Sequence, residues 1–429
     1  MNSVVDQIPG PSAVPGTVHD DLATARLQHD IDAAAARGGG RVVVGPGVHR
    51  TGALRLRSGV ELHLEAGSRL QFVPDPALYP PVEARWEGVA GTVHSPCLFA
   101  HGESDVAITG LGTIDGGGAF WWEHREELEL ARPTLIGLHE CRRVVLRDVV
   151  LQNSPAWTVH PSLCEDVSIS GLRIQNPADS PNTDGIDPES CRNVRISDCH
   201  IDVGDDCIAI KAGTERTPER VACENITITN CTMVHGHGGV VLGSEMAGGV
   251  RNVVISACVF RGTDRGIRVK TRRGRGGLIE NVRVSTVVME DVLSPFTVNS
   301  FYHCGPEGKL PHIGDRSARE VDEGTPQIRG LHLAHITATG VRASAAHLYG
   351  LPEAPLHDVS LHDVTVTFAE DPVPGTPEMA DGVGPVAGEG MRLGFVHDAR
   401  LSGVRVQGAH GEALLLEQCE RISVEEAGR

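Results

Sequence analysis

The stretch CRNVRISDCHIDV, residues 191–203, alternates apolar and polar residues in two short runs, and similar stretches precede and follow it. The other clear copies are CRRVVLRDVVLQN (141–153), CEDVSISGLRIQN (164–176), CENITITNCTMVH (223–235), VRNVVISACVFRG (250–262) and IENVRVSTVVMED (279–291). Steps of 23, 27, 32, 27 and 29 residues separate the first apolar strand positions, which are Val144, Val167, Val194, Ile226, Val253 and Val282. Weaker copies follow at 328–340, 356–368 and 399–408.

A repeat of this length, built from short alternating strands without intervening helices, is typical of a parallel β-helix. Each coil would stack about 4.8 Å above the previous one, with equivalent residues in register. One internal ladder would then contain Cys141, Cys164, Cys191 and Cys223. A leucine-rich repeat is disfavoured because its leucine and asparagine frame is missing, and an antiparallel sandwich because hairpin signals are few. The sequence therefore predicts an all-β solenoid.

One helix is predicted before the repeats, over residues 20–36. Its apolar positions are Leu22, Ala25, Ile31 and Ala34. Asp20 or Asp21 would cap its start, and the glycines from Gly38 to Gly40 would end it. We interpret residues 1–19 as a flexible segment and residues 20–425 as a single β-helix domain capped by this helix.

Composition narrows the class of protein. The formal net charge of −18 over 429 residues argues against a nucleic-acid partner, which needs a basic face. No apolar run is long enough to cross a bilayer, and residues 1–16 lack the features of a secretory signal. Eleven cysteines, an odd number, suit buried thiols in a reducing compartment. A cytoplasmic location is the expectation, although a secreted protein with a truncated N-terminus would look the same.

The repeat gives meaning to two acidic residues, Asp205 and Asp206, that lie between apolar runs. Asp205 follows Val194 by 11 residues, and His237 follows Ile226 by 11 residues. Equal offsets in a solenoid correspond to equivalent places on neighbouring coils, so these two side chains should lie together. Adjacent strand residues face opposite ways, so both aspartates share a site only if the chain kinks, which Gly204 would permit.

The neighbouring coils add further charged residues to the same place. Asp184 lies one coil earlier, and Arg268 and Lys270, which share one strand face, lie one coil later. Crowded carboxylates cannot all ionise freely, so at least one should have a raised pKa. A protonated acid beside ionised ones is the arrangement that glycosidic cleavage requires. The two cations would bind a carboxylated sugar.

Four ordered segments, NTDG (182–185), GDD (204–206), GHGG (236–239) and RVK (268–270), resemble the signature segments of glycoside hydrolase family 28, the polygalacturonases. Residues 38–68, GTIDGGGAFWW (112–122) and SPAWTVHP (154–161) extend the resemblance over most of the chain. The family is a right-handed parallel β-helix of inverting hydrolases that act on α-1,4-linked galacturonan without a metal or other cofactor. The resemblance therefore implies a galacturonate-containing oligo- or polysaccharide as partner, and neither nucleic acid nor membrane.

The resemblance also implies roles for individual residues. Asp205 matches the proton donor, and Asp184 and Asp206 match the carboxylates that activate water. His237 matches the histidine that helps to set the protonation of the donor. The expected substrate-binding residues are Asn182, Arg268, Lys270 and Tyr302. Val269 replaces the commoner isoleucine of the third segment and should point into the core.

Other conspicuous side chains have plainer interpretations. His235 is expected to be incidental, and Trp157 and His160 are expected to pack at the edge of the groove. We do not assign Arg272, Arg273 or Arg275, which follow Lys270, to substrate binding. The cysteines are expected in the core, since one thiol per coil lacks the paired spacing of a zinc site.

Two other functions remain open from the sequence. A pectate-lyase-like enzyme of the same fold would use the three aspartates to hold calcium. A non-catalytic sugar-binding solenoid is the second alternative, because fold alone does not fix function. Exo action is favoured over endo action, because long insertions at 71–96, 299–326 and 371–391 would wall off one end of a groove.

Overall fold

The sequence repeat forms stacked parallel strands in a computed structural model that describes residues 22–425. The predicted register is confirmed at every step: Val144 pairs with Val167, and the pairing continues through Val194, Ile226, Val253 and Val282. The architecture is a right-handed parallel β-helix. The predicted flexible segment, residues 1–19, lies outside the described residues.

Two long parallel sheets run the length of the helix. The larger sheet contains Gly40–Val44, Gly47–Thr51, Val60–Leu64, Ser68–Phe72, Ser104–Gly110, Thr113–Asp115, Arg142–Arg147, Val150–Gln152, Glu165–Ser170, Arg173–Gln175, Arg192–Ser197, His200–Val203, Cys223–Thr229, Thr232–His235, Val250–Arg261, Leu278–Glu290, Gln327–Val341, Leu356–Phe368, Val396–Gln407 and Glu420–Glu425. The second, which we call the cleft sheet, contains Leu54–Arg55, Leu98–His101, Ile136–His139, Val159–Ser162, Ile208–Ile210, Val240–Gly243, Arg265–Lys270, Ser294–Asn299, Ser344–Tyr349, Glu389–Gly394 and Leu414–Glu417. Single bridges at Ile186 and Glu189 join its two halves.

Side-chain ladders connect successive coils. The predicted cysteine ladder is present: the Cys141 amide donates to Cys164 Sγ, and the Cys191 amide donates to Cys223 Sγ. A second ladder, of asparagine amides, contains Asn193, Asn225, Asn252 and Asn281. These asparagines have φ values of 55–60° and lie within strands, where the backbone departs locally from the extended conformation. Asparagine tolerates this left-handed conformation better than most residues, which explains its recurrence in the repeat.

The N-terminal helix covers the first coils, as predicted, but it begins later than expected. It spans Thr24–Ala36, and its N-cap is Ala23. Its buried face contains Leu27, Ile31 and Ala34, whereas Ala25 is exposed and Leu22 precedes the helix. The prediction that Asp20 or Asp21 caps the helix lies outside the described residues. The predicted start was wrong because Leu27, one turn before Ile31, is the first residue of the buried helix face, whereas Leu22 lies outside the helix.

Insertions between coils surround the cleft sheet. The first forms an antiparallel hairpin of Pro81–Trp86 and Val89–His94, which we call the hairpin. Short helices occur at Pro76–Leu78, Ala119–Glu123, Gly305–Gly308 and Pro311–Gly314. A further loop, residues 369–388, crosses the later coils and is called the 369–388 loop below. Within residues 22–425, no helix is long and apolar enough to cross a membrane.

Candidate active site

A cavity of about 870 Å³ opens on the outer face of the cleft sheet. The strands beneath it are Ile208–Ile210, Val240–Gly243 and Arg265–Lys270. All eight predicted site residues line it; they are Asn182, Asp184, Asp205, Asp206, His237, Arg268, Lys270 and Tyr302. The coil register therefore brings the four sequence segments to one place.

Three carboxyl groups form the centre of the cavity. Asp184, Asp205 and Asp206 each present an oxygen, and these three oxygens lie within 4.8 Å of one another. Asp184 and Asp206 are almost completely buried, and the side chain of Asp205 is 20% exposed. Backbone pairing holds the two segments together, because the Gly185 amide donates to the Asp206 carbonyl at 3.0 Å.

Gly204 serves a different purpose from the one predicted. Its φ angle lies outside the left-handed region, so it does not provide an unusual backbone rotation. A Cβ atom at this position would instead lie 2.4 Å from the Ser180 carbonyl oxygen and 2.6 Å from that of Pro177. The glycine is needed because the preceding loop approaches the backbone too closely for any side chain.

His237 lies beside Asp205, as the equal offsets predict. Its Nδ1 is 3.2 Å from Asp205 Oδ1, and its backbone amide donates to the Asp205 carbonyl at 3.1 Å. The hydrogen bond to Asp205 raises the pKa of His237 above its usual value of 6.5. Burial alone would raise the pKa of Asp205, but the hydrogen bond and charge of His237 and the nearby lysines lower it to about 2.

The pKa of Asp184 is shifted in the opposite direction from that of Asp205. Burial, followed by the charges of Asp205 and Asp187, raises it well above the usual range. Asp184 Oδ1 has no hydrogen-bond partner among the described residues. These pKa shifts favour protonation of Asp184 over Asp205, whereas the family resemblance makes Asp205 the donor. The prediction of one raised pKa among crowded carboxylates agrees with this arrangement.

Arg268 and Lys270 both contact Asp206. Lys270 Nζ donates to Asp206 Oδ2 at 2.7 Å, and Arg268 Nη1 lies 3.8 Å from Asp206 Oδ1. The Tyr302 ring faces both cations, with its centroid 5.7 Å from the guanidinium carbon and 5.6 Å from the ammonium nitrogen. Val269 points into the core, as expected. The two cations thus reach the catalytic cluster itself.

Arg268 has a partner that the sequence did not reveal. Glu378, in the 369–388 loop, is fully buried and accepts hydrogen bonds from Arg268 Nε at 2.7 Å and Nη2 at 3.0 Å. Burial would raise the pKa of Glu378, but Arg268 and Arg265 lower it to about 2. Because this carboxylate already occupies the guanidinium fork, Lys270 is the more available of the two cations for a ligand carboxylate.

Three further ionisable residues, missed in the sequence, support the floor of the cavity; Lys211 and Asp187 are buried, and the side chain of Glu245 is 15% exposed. Lys211 Nζ lies 3.3 Å from Glu245 Oε2, 3.6 Å from Asp187 Oδ1 and 3.9 Å from Asp184 Oδ2. Burial raises the pKa of Asp187 to about 8. Asp187 and Lys211 follow NTDG and GDD by a few residues on strand-like segments. Their outward positions in the repeat were the signal that could have identified them.

The hairpin closes one end of the cavity. Trp86 stacks on Trp157 with ring centroids 4.9 Å apart, and Arg85 Nη1 lies 3.3 Å from Glu189 Oε1. The hairpin tip packs on the loop after Lys211, where Thr217 Oγ1 donates to the Gly88 carbonyl at 2.6 Å. The hairpin therefore covers the cleft sheet on the side of the N-terminal coils.

Residues at the cavity margin divide into lining and supporting groups. Asn182 Oδ1 accepts a 2.6 Å hydrogen bond from Arg132 Nη2. Arg272 and Arg275 line the cavity and pair with Glu215 at 2.7 and 2.8 Å. Arg273, in contrast, does not line the cavity and pairs with Glu353. His235 is exposed and pairs with Asp202, and His160 pairs with Glu189.

Known proteins resemble this chain over most of its length. The profile of the family described as glycosyl hydrolases family 28 matches residues 89–374. A probable polygalacturonase of Vitis vinifera is 33% identical over 346 residues, which are 78% of this chain and 68% of the relative. An endo-polygalacturonase of Pectobacterium carotovorum subsp. carotovorum is 31% identical over 66% of this chain and 72% of its own. The match to a probable polygalacturonase of Arabidopsis thaliana covers 42% of the length of that relative.

Solved structures of polygalacturonases are also similar to this chain. The hyperthermoactive exopolygalacturonase from Thermotoga maritima superposes with a TM-score of 0.76 at 29% identity, over 92% of this chain and 90% of that one. The Yersinia enterocolitica family 28 exopolygalacturonase gives a TM-score of 0.77 at 20% identity, over 95% of this chain and 76% of that one. The second likeness supports the fold alone.

Proposed function

Because this chain belongs to glycosyl hydrolases family 28, we propose that it hydrolyses α-1,4-galacturonosyl bonds at one end of pectin-derived oligogalacturonides. The observation that carries the proposal is the cluster of Asp184, Asp205 and Asp206, whose oxygens lie within 4.8 Å of one another beside His237 and Lys270. Such a cluster offers both a proton for the leaving oxygen and a carboxylate that accepts a proton from water.

We propose that Asp205 protonates the leaving oxygen while Asp184 and Asp206 hold the attacking water. Without substrate contacts, the pKa shifts favour a proton on Asp184 over one on Asp205. A substrate carboxylate beside His237 and Lys270 would weaken their hold on the Asp205 anion. The Asp205 pKa would then rise, and the proton would move within the cluster to the residue that faces the leaving oxygen.

The stereochemical outcome expected is inversion. Two-carboxylate inverting enzymes usually separate their carboxyl groups by roughly 6.5–9.5 Å, to leave room for water. The spacing here is shorter. A third carboxylate changes the geometry, because Asp184 and Asp206 can hold a water on the side away from Asp205. Proton NMR of the first product tests this directly: inversion releases the β-anomer from an α-linked substrate, and retention would release the α-anomer.

Preference for an acidic sugar follows from the charges lining the cavity. The chain as a whole carries a formal charge of −18, yet the lysine and arginine side chains that line this one cavity nearly balance its eight acidic ones; these seven cations are Lys211, Arg216, Arg265, Arg268, Lys270, Arg272 and Arg275. A local concentration of cations draws an anionic ligand against the overall charge. A uronate carboxylate would bind Lys270 and add to the substrate contacts expected of Asn182 and Tyr302.

Exo action is supported by the hairpin. The contact of Trp86 with Trp157 and that of Gly88 with the loop at Thr217 close the groove on the side of the N-terminal coils. A polysaccharide chain that enters from the open side would stop at this wall. Only the terminal sugar residues would then reach Asp205. Cleavage in the middle of polygalacturonan, detected as a rapid loss of viscosity with little release of reducing ends, would contradict exo action.

One experiment separates hydrolysis from the alternatives. Purified protein is incubated with trigalacturonate in EDTA, and the products are identified by mass spectrometry. Monomer and dimer that carry one added water establish a metal-independent hydrolase. An unsaturated product that forms only when calcium is restored would show a lyase, with Asp184, Asp205 and Asp206 as calcium ligands. The Asp205→Asn variant is the matched control, because it keeps the shape of the site.

Cytoplasmic location also stays a proposal. The ladder of Cys141, Cys164, Cys191 and Cys223 consists of free, buried thiols, which suit a reducing compartment. In that case the substrates would be short oligogalacturonides taken up by the cell. Fractionation of cells that produce the protein tests this, and recovery from the medium or the periplasm would contradict it.

A further inference from the structure

A second cavity, of about 340 Å³, lies further along the cleft sheet. Its floor is formed by the strands Ser344–Tyr349 and Glu389–Gly394, and the 369–388 loop encloses it. His347 is in register with Thr297, which is in register with Arg268. The cavity therefore lies two coils, roughly 10 Å, beyond the catalytic cations on the same face of the sheet. Pro377 and the buried Glu378 separate the two cavities.

Arg316 is the first feature that points to a ligand. Its guanidinium carbon lies 4.9 Å from the centroid of the Phe301 ring and 4.9 Å from that of the Tyr349 ring. Within the described residues, no hydrogen bond or ion pair is found for this guanidinium. Two aromatic rings thus orient this half-buried arginine, and its N–H groups have no acceptor among the described residues. A planar fork of this kind binds a carboxylate with two parallel hydrogen bonds.

His347 is a second and independent feature. It is 4% exposed, lines the same cavity and stacks on Tyr349 with ring centroids 4.6 Å apart. Its Nδ1 atom is buried and has no hydrogen-bond partner among the described residues. A buried polar atom without a partner is costly unless a ligand or water satisfies it. Burial lowers the pKa of His347 to about 4, so the ring is neutral near pH 7.

The remaining polar groups indicate the kind of ligand. Arg392 Nε donates to Glu389 Oε1 at 3.1 Å, and Tyr349 Oη donates to Glu417 Oε2 at 2.7 Å. The two glutamates balance the two arginines of the cavity, so the cavity has no excess positive charge for a phosphate or another multiply charged anion. A ligand with one carboxylate and several hydroxyl groups fits better. Hydroxyl groups can donate to the glutamates, and the carboxylate can accept from Arg316.

We propose that this second cavity binds one galacturonate residue, with its carboxylate on Arg316 and a hydroxyl group on His347 Nδ1. The choice of galacturonate rests on the proposed function. The residue is either a distant unit of the chain held in the catalytic cavity or part of a second oligosaccharide. A volume of about 340 Å³ is at the lower end of the range for small-molecule sites and suits one or two sugar rings.

The test is calorimetric titration with digalacturonate of the Asp205→Asn protein, in which turnover during the titration should be strongly reduced. Two binding events per chain are expected. Adding Arg316→Ala should weaken one of them by about tenfold or more, because a charge-assisted pair of hydrogen bonds is lost. Arg316→Lys should also weaken it, since it keeps the charge but not the planar fork. Arg319→Ala is the matched control, because Arg319 pairs with Asp315 on the protein surface.

Each outcome bears on a separate claim. A single event that Arg316→Ala leaves unchanged but Lys270→Ala abolishes would refute the second site and leave the proposed function intact. Absence of any binding to either cavity would refute both. Equal binding of the neutral digalactoside at the second site would refute recognition of the carboxylate. If longer oligogalacturonides reduce the stoichiometry from two to one, one chain spans both cavities; an unchanged stoichiometry shows two separate molecules.

Discussion

Replacement of Glu378 by glutamine tests the arrangement of the cations most directly. The Glu378 carboxylate accepts hydrogen bonds from Arg268 at 2.7 and 3.0 Å and from Thr297 Oγ1 at 2.9 Å, and it is fully buried. A glutamine of the same shape has one acceptor oxygen and presents two donors to a site already filled with donors. Arg268 would then lose its nearest anion without regaining water, and Arg265 would lose Glu378 at 3.8 Å and keep Asp264 at 3.3 Å.

The size of the effect follows from burial. Removing one partner of a buried ion pair costs about 3–5 kcal/mol, because the other charge remains uncompensated. Asp206 lies 3.8 Å from Arg268 Nη1 and partly compensates it. We therefore expect the lower end of the range, a loss of about 3 kcal/mol in the free energy of unfolding. The matched control is Glu290→Gln, whose surface pair with Arg261 should contribute about 1 kcal/mol or less.

Urea denaturation followed by circular dichroism provides the measurement, at pH 7 and again at pH 3. The pKa of Glu378 is lowered to about 2 from an ordinary value of 4.5. Its contribution to stability is therefore complete above pH 4.5 and is lost as the pH falls toward 2. The difference between wild type and Glu378→Gln should thus be smaller at pH 3 than at pH 7. A variant as stable as the control at pH 7 would refute the argument that Glu378 neutralises buried arginines.

Three other outcomes follow from the site. Asp205→Asn should reduce kcat on trigalacturonate by a factor of at least about 100, with unchanged circular dichroism, because general acid catalysis is lost; near-normal turnover would contradict its role. Lys270→Ala should raise KM for trigalacturonate more than for a methyl-esterified analogue, since the carboxylate contact is lost; equal changes would place that contact elsewhere. For His237, whose pKa is raised above 6.5, activity should decline as the pH rises through that pKa, and His237→Gln should lack this decline in its pH–rate profile.

Much of the fold could be predicted because a solenoid converts sequence spacing into spatial position. The offset of 11 residues that Asp205 shares with His237 became a hydrogen bond of 3.2 Å between the two side chains. The register of the coils held from Val144 to Val282 for the same reason. The alternation of apolar residues recurs in the same form in each coil and leaves one way to stack the coils, although the coils differ in length, so no tertiary information beyond the repeat was needed.

Contacts made by insertions could not be predicted in this way. Glu378 lies 110 residues after Arg268 in a loop that has no counterpart in other coils, so no offset relates the two. The docking of Gly88 against Thr217 joins residues 129 positions apart and depends on the folded shape of the hairpin. Gly204 shows a subtler limit. Its sequence context indicated a kink, whereas the structural requirement is space for a neighbouring loop.

The cations of the cleft are neutralised internally, and this determines how an acidic sugar binds. Lys270 pairs with Asp206, and Arg268 pairs with Glu378. A galacturonate carboxylate that binds Lys270 therefore replaces an existing carboxylate partner instead of finding an open charge. Asp206 would lose part of the positive charge that stabilises its anion, and the affinity of the aspartate cluster for a proton would rise. We infer that substrate binding itself helps to retain the proton that cleavage consumes, so neutral sugars should be poor substrates even where they fit the cavity.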